Sequence, residues 1–264
     1  MSNCFRLDHL GALTISGPDA VAFAQAQFTN DIASMDPEQW YPGAWCDPRG
    51  RTLAVMLAGR REGCVELILP APQVQAISNR LKMFAIGRDI EFTVGQNVCG
   101  CRDTAQTAAP LSYDSHRAIR LDQKACAHDQ QECERWQRED LDARFPWLSA
   151  DSAGRHLPQS LGLEALGGLS YSKGCFPGQE VIARVHYRGK VGYRVAQVDF
   201  AAGSLPPPGS VLRLEDGARA GEMLWGVSDE ESTRGLAVVS TGIENGTRVF
   251  AANHNDGVSG RVSL

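Results

Sequence analysis

The sequence has no long hydrophobic run. Its longest apolar stretch, from Leu53 to Ala58, is far too short for a membrane-spanning helix, which needs about 20 apolar residues. No apolar signal region follows the first residues, Met1 to Cys4. We therefore expect a soluble protein of the bacterial cytoplasm with no membrane partner.

An excess of positive charge is also missing. The net charge of −5 gives no electrostatic reason to expect direct binding of nucleic acid. Lysine is scarce, since 22 of the 26 basic residues are arginine. Arginine binds carboxylates and phosphates with a planar fork, so a local anion site is compatible with the negative total. A GC-rich genome would produce the same bias.

Cysteine is present but sparse. Eight cysteines in 264 residues are too few for a disulfide scaffold. Their spacing does not match a metal site, because Cys99 and Cys101 are separated by one residue and no second pair follows at zinc-finger distance. We therefore predict neither a disulfide framework nor a permanent metal.

The first third of the chain has the pattern of an α+β layer. A strand at 12–15 precedes a helix start at 17–19, a hairpin turn lies at 47–50, and a second amphipathic helix covers 74–84. The order strand, helix, hairpin, strand, helix, strand is close to a ferredoxin-like unit with one extra strand. Such units place helices on one face of an antiparallel sheet.

The pattern of the sequence changes after Lys190. Short alternating segments are separated by turns rich in Gly, Pro and Asp, which is typical of a small β-barrel or sandwich. We predict an α+β region over 1–190, with two lobes of about 1–95 and 96–190, and a β-barrel domain over 191–264. The predicted barrel segments lie at 194–200, 211–214, 224–227, 236–239, 248–251 and 258–262.

One loop concentrates reactive chemistry, namely Lys-Gly-Cys-Phe-Pro-Gly-Gln-Glu at 173–180. Pro177 and Gly178 suit the middle of a type II turn, and a helical pattern follows them. Cys175 would then precede a helix N-terminus with Lys173 nearby, and both features lower the pKa of a thiol. The alternative interpretation is a buried structural cysteine in a tight loop.

Three stretches of the sequence resemble a known family. They run from Ile15 to Asp31, from Cys46 to Arg51, and from Phe145 to Lys190. The third contains the loop, which matches the hallmark Lys-Gly-Cys-[Tyr/Phe]-x-Gly-Gln-Glu of YgfZ-type folate-binding proteins. The resemblance covers nearly the whole chain. Those proteins are relatives of the aminomethyltransferase of the glycine cleavage system and of a mitochondrial iron–sulfur assembly factor.

The resemblance implies an α+β fold of the GcvT type, with ferredoxin-like lobes and a C-terminal β-barrel in a ring around a central cavity for tetrahydrofolate or a derivative. It implies a role in iron–sulfur cluster assembly or repair, felt indirectly by iron–sulfur enzymes that thiolate tRNA. The implied partners are folate and, transiently, the iron–sulfur assembly machinery or its client proteins.

Site residues are carried over from the motif positions. The resemblance makes Cys175 the reactive thiol, flanked by Lys173 and Glu180. It assigns no metal ligand. Two groups keep a second interpretation, because a tryptophan usually packs in the core and a basic run is often a solvated surface. The residues assigned to folate are Trp136, Gln179, Arg184 and Arg188. The basic run of Arg184, Arg188 and Lys190 would have a partner in the polyglutamate tail of the folate.

The chain departs from its relatives at three places. Leu10 stands where some members have a second aromatic residue at the folate site. The stretch 50–55 lacks the catalytic carboxylate of the aminomethyltransferases, whose loss removes a contribution of about 10²–10⁴-fold in rate. The region 96–134 is shorter than in longer relatives, which would open the cavity.

The leading hypothesis is a tetrahydrofolate-binding accessory protein rather than a conventional enzyme. The first alternative is a folate-dependent one-carbon transferase that uses Cys175 or Glu180, and the second is a non-catalytic interaction scaffold. Asp31 and Asp47 are interpreted as cap and turn residues. His186 has no acid or metal partner visible in the sequence and receives no role.

Overall fold

A computed structural model describes residues 4–102, 108–124, 126–229, 232–251 and 258–264. The strands are β1 (Cys4–Arg6), β2 (Leu10–Ser16), β3 (Tyr41–Cys46), β4 (Thr52–Arg61), β5 (Cys64–Pro70), β6 (Glu91–Val94), β7 (Asn97–Cys101), β8 (Ala109–Leu111), β9 (Asp114–Asp122), β10 (Tyr193–Phe200), β11 (Val211–Arg213), β12 (Arg219–Ser228), β13 (Thr233–Ser240), β14 (Arg248–Ala251) and β15 (Ser259–Ser263). The α-helices are α1 (Ala20–Gln27), α2 (Val74–Lys82), α3 (Gln130–Asp142) and α4 (Gln179–Arg188).

A five-stranded antiparallel sheet forms the first part of the fold, in the order β3-β4-β5-β2-β6. Side chains alternate between its faces, and residues such as Leu13 and Leu67 pack with Phe23 of α1 and Ile77 of α2. The predicted order of elements is confirmed. Phe84, predicted on the face of the second helix, instead follows the end of α2 and is 51% exposed.

The second sheet has the order β1-β7-β9-β8. Most of it comes from the region 96–134, of which 103–107 and 125 lie outside the described residues. Its edge strand β1 comes from the N-terminus and pairs with β7. One strand therefore crosses the predicted division between lobes at 95.

Two disulfides cover this sheet, Cys4–Cys101 and Cys99–Cys126. The sequence predicts no disulfide framework, and it did not reveal these two pairs. The physical reason is strand pairing, because β1 lies opposite β7 in a register that places Cys4 across from Cys101. These two residues are 97 positions apart, so their proximity could not be seen in the spacing.

The third part is a closed six-stranded barrel, in the order β10-β13-β12-β11-β14-β15, with β15 returning to β10. All six predicted segments are strands, and the predicted barrel is confirmed. Its interior is filled by residues such as Val198 and Met223. Leu224, Leu236 and Val238 belong instead to a core shared with the α+β region.

That shared core joins the three sheets and positions the loop at 173–180. Leu10 of the first sheet, Ile119 of the second and Leu236 of the barrel belong to it, together with Phe176 and Ile182 beside the loop. Burial of Phe176 and Ile182 therefore anchors the loop and the start of α4 in the core that the three parts share.

No helix in the described part of the chain is long and apolar enough to cross a membrane.

Candidate functional site

The loop at 173–180 contains the type II turn that the sequence predicts. The backbone N–H of Gln179 donates to the carbonyl of Phe176 at 3.2 Å, and Gly178 has φ +81°. Only a residue that tolerates positive φ fits the third position of such a turn. Helix α4 begins at the next residue, as predicted.

Gly178 is pressed against the hairpin turn at 47–50. A Cβ at Gly178 would lie 2.5 Å from the Cα of Gly50 and 2.6 Å from the carbonyl oxygen of Asp47. The Asp47 carboxylate accepts from the backbone N–H groups of Arg49 and Arg51, both at 2.8 Å, and so serves as the predicted turn residue. Two of the three stretches that carry the resemblance are therefore in direct contact.

Lys173 anchors the loop to the end of α1. Its Nζ donates to the carbonyls of Gln25, Phe28 and Asn30, all within 2.8 Å. These carbonyls lie at the helix C-terminus, where unsatisfied acceptors attract a cation. Lys173 is 8% exposed, and burial lowers its pKa to about 8. The three hydrogen bonds of the Lys173 ammonium go to these carbonyls and none goes to Cys175. An effect of the ammonium on the Cys175 thiol therefore stays a prediction.

Cys175 and Glu180 are both exposed. Gln179 is half-buried, and its Nε2 donates to the carbonyl of Lys173 at 3.4 Å. Glu180 and Arg184 lie one turn apart on α4 with opposite charges, a spacing that favours an ion pair, but no ion pair joins these two described residues. The loop thus presents its thiol and its carboxylate to solvent while its lysine is buried.

His186 has an acid partner that the sequence did not reveal. Its Nδ1 lies 2.6 Å from an oxygen of Glu164, and its ring stacks on Tyr171 with centroids 3.9 Å apart. Burial and the charge of Glu164 raise the pKa of Tyr171 to about 12. This group supports one side of α4 behind the loop.

Trp136 lies on α3 and is 1% exposed. Its ring packs on Gly100, where an added Cβ would approach within 3.0 Å, and the Arg117 guanidinium lies 4.8 Å from the ring centroid. Phe5 meets the same ring edge-on at 6.0 Å. The ring is therefore enclosed by the second sheet, and its role in folate binding stays a prediction.

A cleft of about 550 Å³ opens beside α3, and we call it the tryptophan cleft. It lies between the first sheet, α3 and the barrel. Trp147 and Trp225 form its aromatic wall, and each indole N–H is hydrogen-bonded. Trp147 donates to the Asp140 carboxylate and Trp225 to the carbonyl of Phe145, both at 2.9 Å. Further lining residues are Asp8, His9, Leu10, Gln73, Gln137 and Leu224.

The hydrogen bonds fix the orientation of both indole rings before any ligand arrives. Asp140, in turn, accepts from the Arg117 guanidinium at 2.7 Å, and both side chains are 1% exposed. The aromatic wall is therefore held by buried polar contacts as well as by packing. Sequence reasoning did not find Trp147 or Trp225, because the resemblance assigned no role to either, although Trp147 lies within the third stretch.

His9 is the polar group of the cleft without a partner. Its Nε2 is buried and makes no hydrogen bond within the described structure. Burial lowers the pKa of His9, while Asp140 and Asp8 act in the opposite direction. His9 therefore places a buried, unsatisfied ring nitrogen at the edge of the cleft. In the sequence, the signal that could have identified His9 is its position directly before Leu10, which the resemblance places at the folate site.

The structure brings only some of the predicted residues together. Leu10, at the position that the resemblance gives to an aromatic residue in some members, lines the tryptophan cleft. Gln137 also lines the cleft, whereas its neighbour Trp136 does not. Arg184 and Arg188 line a separate depression along α4. Within the described ranges, no group of three or more His, Cys, Asp and Glu side chains could hold a metal ion.

We expect Cys175 to alkylate faster than any other cysteine at pH 7. Its thiol is exposed, whereas Cys46 and Cys133 are buried. Burial raises the pKa of Cys46 to about 12 and raises the pKa of Cys64 and Cys133 as well, which reduces their thiolate fractions. Mass spectrometry of an iodoacetamide time course without reductant would measure this order. Equal labelling of Cys175 and Cys64 would contradict the prediction.

Comparison with known proteins gives consistent results. Relatives called "tRNA-modifying protein YgfZ" occur in Vibrio vulnificus (26% identical, 95% of this chain and 88% of the relative) and in Photorhabdus laumondii (26%, 96% and 88%). The Colwellia psychrerythraea protein is 27% identical over 70% of this chain and 67% of its own length. No protein-family model matches the chain.

Among solved structures, the aminomethyltransferase T of the glycine cleavage system from Bartonella henselae aligns with a TM-score of 0.68 at 17% identity. The alignment covers 99% of this chain and 84% of that protein. This likeness shows a shared fold. Together the comparisons confirm the resemblance that the sequence predicts, to YgfZ-type proteins with a GcvT-like fold.

Proposed function

We propose that the chain binds tetrahydrofolate or a derivative in the tryptophan cleft. As an accessory protein of the cytoplasm, it would support the assembly or repair of iron–sulfur clusters, and through them the modification of tRNA. The printed name of the relatives, tRNA-modifying protein, and the fold shared with an aminomethyltransferase support this direction. The observation that carries it is the cleft with its two fixed indole rings and the unpartnered His9 nitrogen.

The cleft suits a folate by size and chemistry. Its volume of about 550 Å³ lies within the range of small-molecule sites, about 300–1,000 Å³. The flat pterin and aminobenzoyl groups would gain from Trp147 and Trp225, because offset stacking adds about 0.5–1.5 kcal/mol beyond area burial. His9 would bind a polar edge of the pterin, while Leu10 and Leu224 would cover its apolar face.

The cleft supports a binding role better than one-carbon transfer. Bound tetrahydrofolate would supply a one-carbon carrier. Asp8 is the one carboxylate among the described residues that line the cleft, and it is already held by Arg6 at 2.5 Å and His128 at 3.0 Å. In the stretch that carries the acid in transferases, Ala54 and Val55 are buried in apolar clusters. Neither place therefore offers a free carboxylate for acid–base chemistry.

Cys175 gives the proposal a second part. The thiol stands on an exposed loop, and Val181 and Tyr187 on the adjoining helix are 38% and 69% exposed. Apolar and aromatic side chains beside an accessible thiol suit transient contact with an iron–sulfur assembly or client protein. Lys173 and Gln179 would hold the loop in position, and Glu180 would flank the thiol.

We expect Trp225→Ala to raise the Kd for tetrahydrofolate about tenfold, which corresponds to about 1.4 kcal/mol of lost stacking and burial. The matched control is Phe250→Ala, since Phe250 is also half-buried on the barrel but does not line the cleft. Isothermal titration of both variants measures the difference. An unchanged Kd in Trp225→Ala would place the folate elsewhere, and Trp136→Phe in the same titration tests the residue predicted from sequence.

The cellular role is tested by complementation of a strain that lacks the gene. Wild type, Cys175→Ala and Trp225→Ala would be compared by the activity of an iron–sulfur enzyme that thiolates tRNA. The accessory role requires loss of activity in both variants. Full activity of Cys175→Ala would favour the scaffold alternative, and protein-dependent product formation from tetrahydrofolate with a methylamine donor would favour the transferase.

A further inference from the structure

A second cleft, of about 660 Å³, lies where the barrel meets the hairpin turn at 47–50 and the segment 155–160. We call it the arginine cleft. Its described lining contains four basic side chains but only one carboxylate, Glu222, although the whole chain carries a net charge of −5. The four cations are Arg51, Arg155, Lys190 and Arg219.

Glu222 organises the base of this cleft. It is 1% exposed, and Arg155 and Arg219 approach its Oε2 at 3.1 and 3.0 Å. His156 lies 3.4 Å from its Oε1. Burial alone would raise the pKa of Glu222, but the contacts with His156 and Arg155 outweigh burial and lower it. The buried carboxylate is thus charged and orients both guanidinium groups.

Most of the donor capacity above Glu222 stays unused. A guanidinium has five N–H donors, and Glu222 takes only part of them. The Arg155 and Arg219 side chains are still 47% and 52% exposed toward the cleft and solvent. Arg51 donates to the carbonyl of Arg155 at 3.0 Å, and neither Arg51 nor Lys190 has an ion pair within the described residues.

The convergence differs from an ordinary basic surface. The cations come from four separate segments: the hairpin turn, the segment 155–160, the connection into the barrel, and β12. A concave site whose lining carries an excess of positive charge concentrates anionic ligands. Arginine forks match carboxylates and phosphates in geometry.

We propose that the arginine cleft binds a ligand with at least two neighbouring anionic groups, carboxylates or phosphates. The inference does not rest on folate binding in the tryptophan cleft. The two sources of such chemistry are a chain of linked carboxylates, as in γ-linked oligoglutamate, and a chain of phosphates. Both would bridge the guanidinium groups and the ammonium of Lys190.

The test is isothermal titration of the full chain with tri-γ-glutamate in one arm and tripolyphosphate in the other. We expect at least one probe to bind, and Lys190→Ser and Arg219→Ser each to weaken that binding about tenfold, the size of one charge-assisted contact. Arg213→Ser is the matched control, because Arg213 is exposed on the same barrel outside the cleft. Added salt should weaken binding in both arms.

Comparison of the two probes distinguishes the two kinds of ligand. Tighter binding of tri-γ-glutamate indicates linked carboxylates, and tighter binding of tripolyphosphate indicates linked phosphates. Arg155 and Arg219 contact the buried Glu222, whereas Lys190 does not. Lys190→Ser should therefore leave the fold intact, and weaker binding of this variant reports a lost ligand contact. The proposal is overturned if neither probe binds, or if Lys190→Ser and Arg213→Ser bind alike. Titration of monoglutamyl tetrahydrofolate into the same variants should be unchanged, which distinguishes this outcome from failure of the folate proposal.

Discussion

Gly178→Ala is expected to destabilise the protein by about 2–5 kcal/mol. Part of the cost is conformational, because Gly178 has φ +81°, where an L-residue is strained by about 1–2 kcal/mol. The larger part is steric. The new Cβ would lie 2.5–2.6 Å from backbone atoms of Gly50 and Asp47, and backbone cannot rotate out of the way like a side chain. The hairpin turn and the loop would have to separate.

Gly174→Ala is the matched control for this experiment. Gly174 lies in the same loop, but a Cβ there has no atom within 4 Å and the residue is exposed. Its cost should stay within about 0.5 kcal/mol. Urea unfolding of both variants measures the difference, and equal midpoints would show that the contact between loop and hairpin turn does not hold the fold.

Asp140→Asn is expected to cost about 3 kcal/mol or more, because it removes the charge that faces a buried guanidinium. The Asp140 carboxylate accepts from Arg117 at 2.7 Å and from Trp147 at 2.9 Å. An amide has one acceptor oxygen and cannot satisfy both donors. The Asp114 carboxylate remains at 2.7 Å from Arg117, which limits the loss. Binding in the tryptophan cleft should weaken as well, since Trp147 loses its fixed orientation.

Asp142→Asn tests whether burial causes the effect. It is the same substitution on the same helix, but the Asp142 side chain is 62% exposed, and its pair with Arg234 is a surface contact of 3.0 Å. Such pairs contribute about 0–1 kcal/mol. Denaturant midpoints and tetrahydrofolate titrations of both variants measure the two consequences. A similar loss in Asp142→Asn would mean that the helix itself, not the buried network, is the sensitive element.

The parts of the fold that depend on local pattern could be predicted. The turn at Pro177 and Gly178 followed from the φ that each residue allows, and the start of α4 followed from the helical spacing behind it. The six barrel strands followed from alternating segments between glycine- and proline-rich turns. In each case, residues close in the chain contained the information.

The features that depend on long-range pairing could not be predicted. Cys4 meets Cys101 only because β1 joins the second sheet, and Glu164 meets His186 across a loop. The tryptophan cleft is formed by His9, Gln73, Trp147 and Trp225, which lie on four separate segments. The spacing of residues in the sequence does not predict such contacts, because they depend on how whole helices and strands pack together.

Lys173 recognises the end of α1 through main-chain oxygens only. Every residue type supplies the same carbonyl, so the ammonium itself makes no hydrogen bond to the side chains at 25, 28 and 30. Position 173 is restricted to lysine, because no other side chain delivers an ammonium over that distance. An engineer who transplants the loop into another scaffold would therefore have to supply a helix C-terminus beneath it, whatever the sequence of that helix.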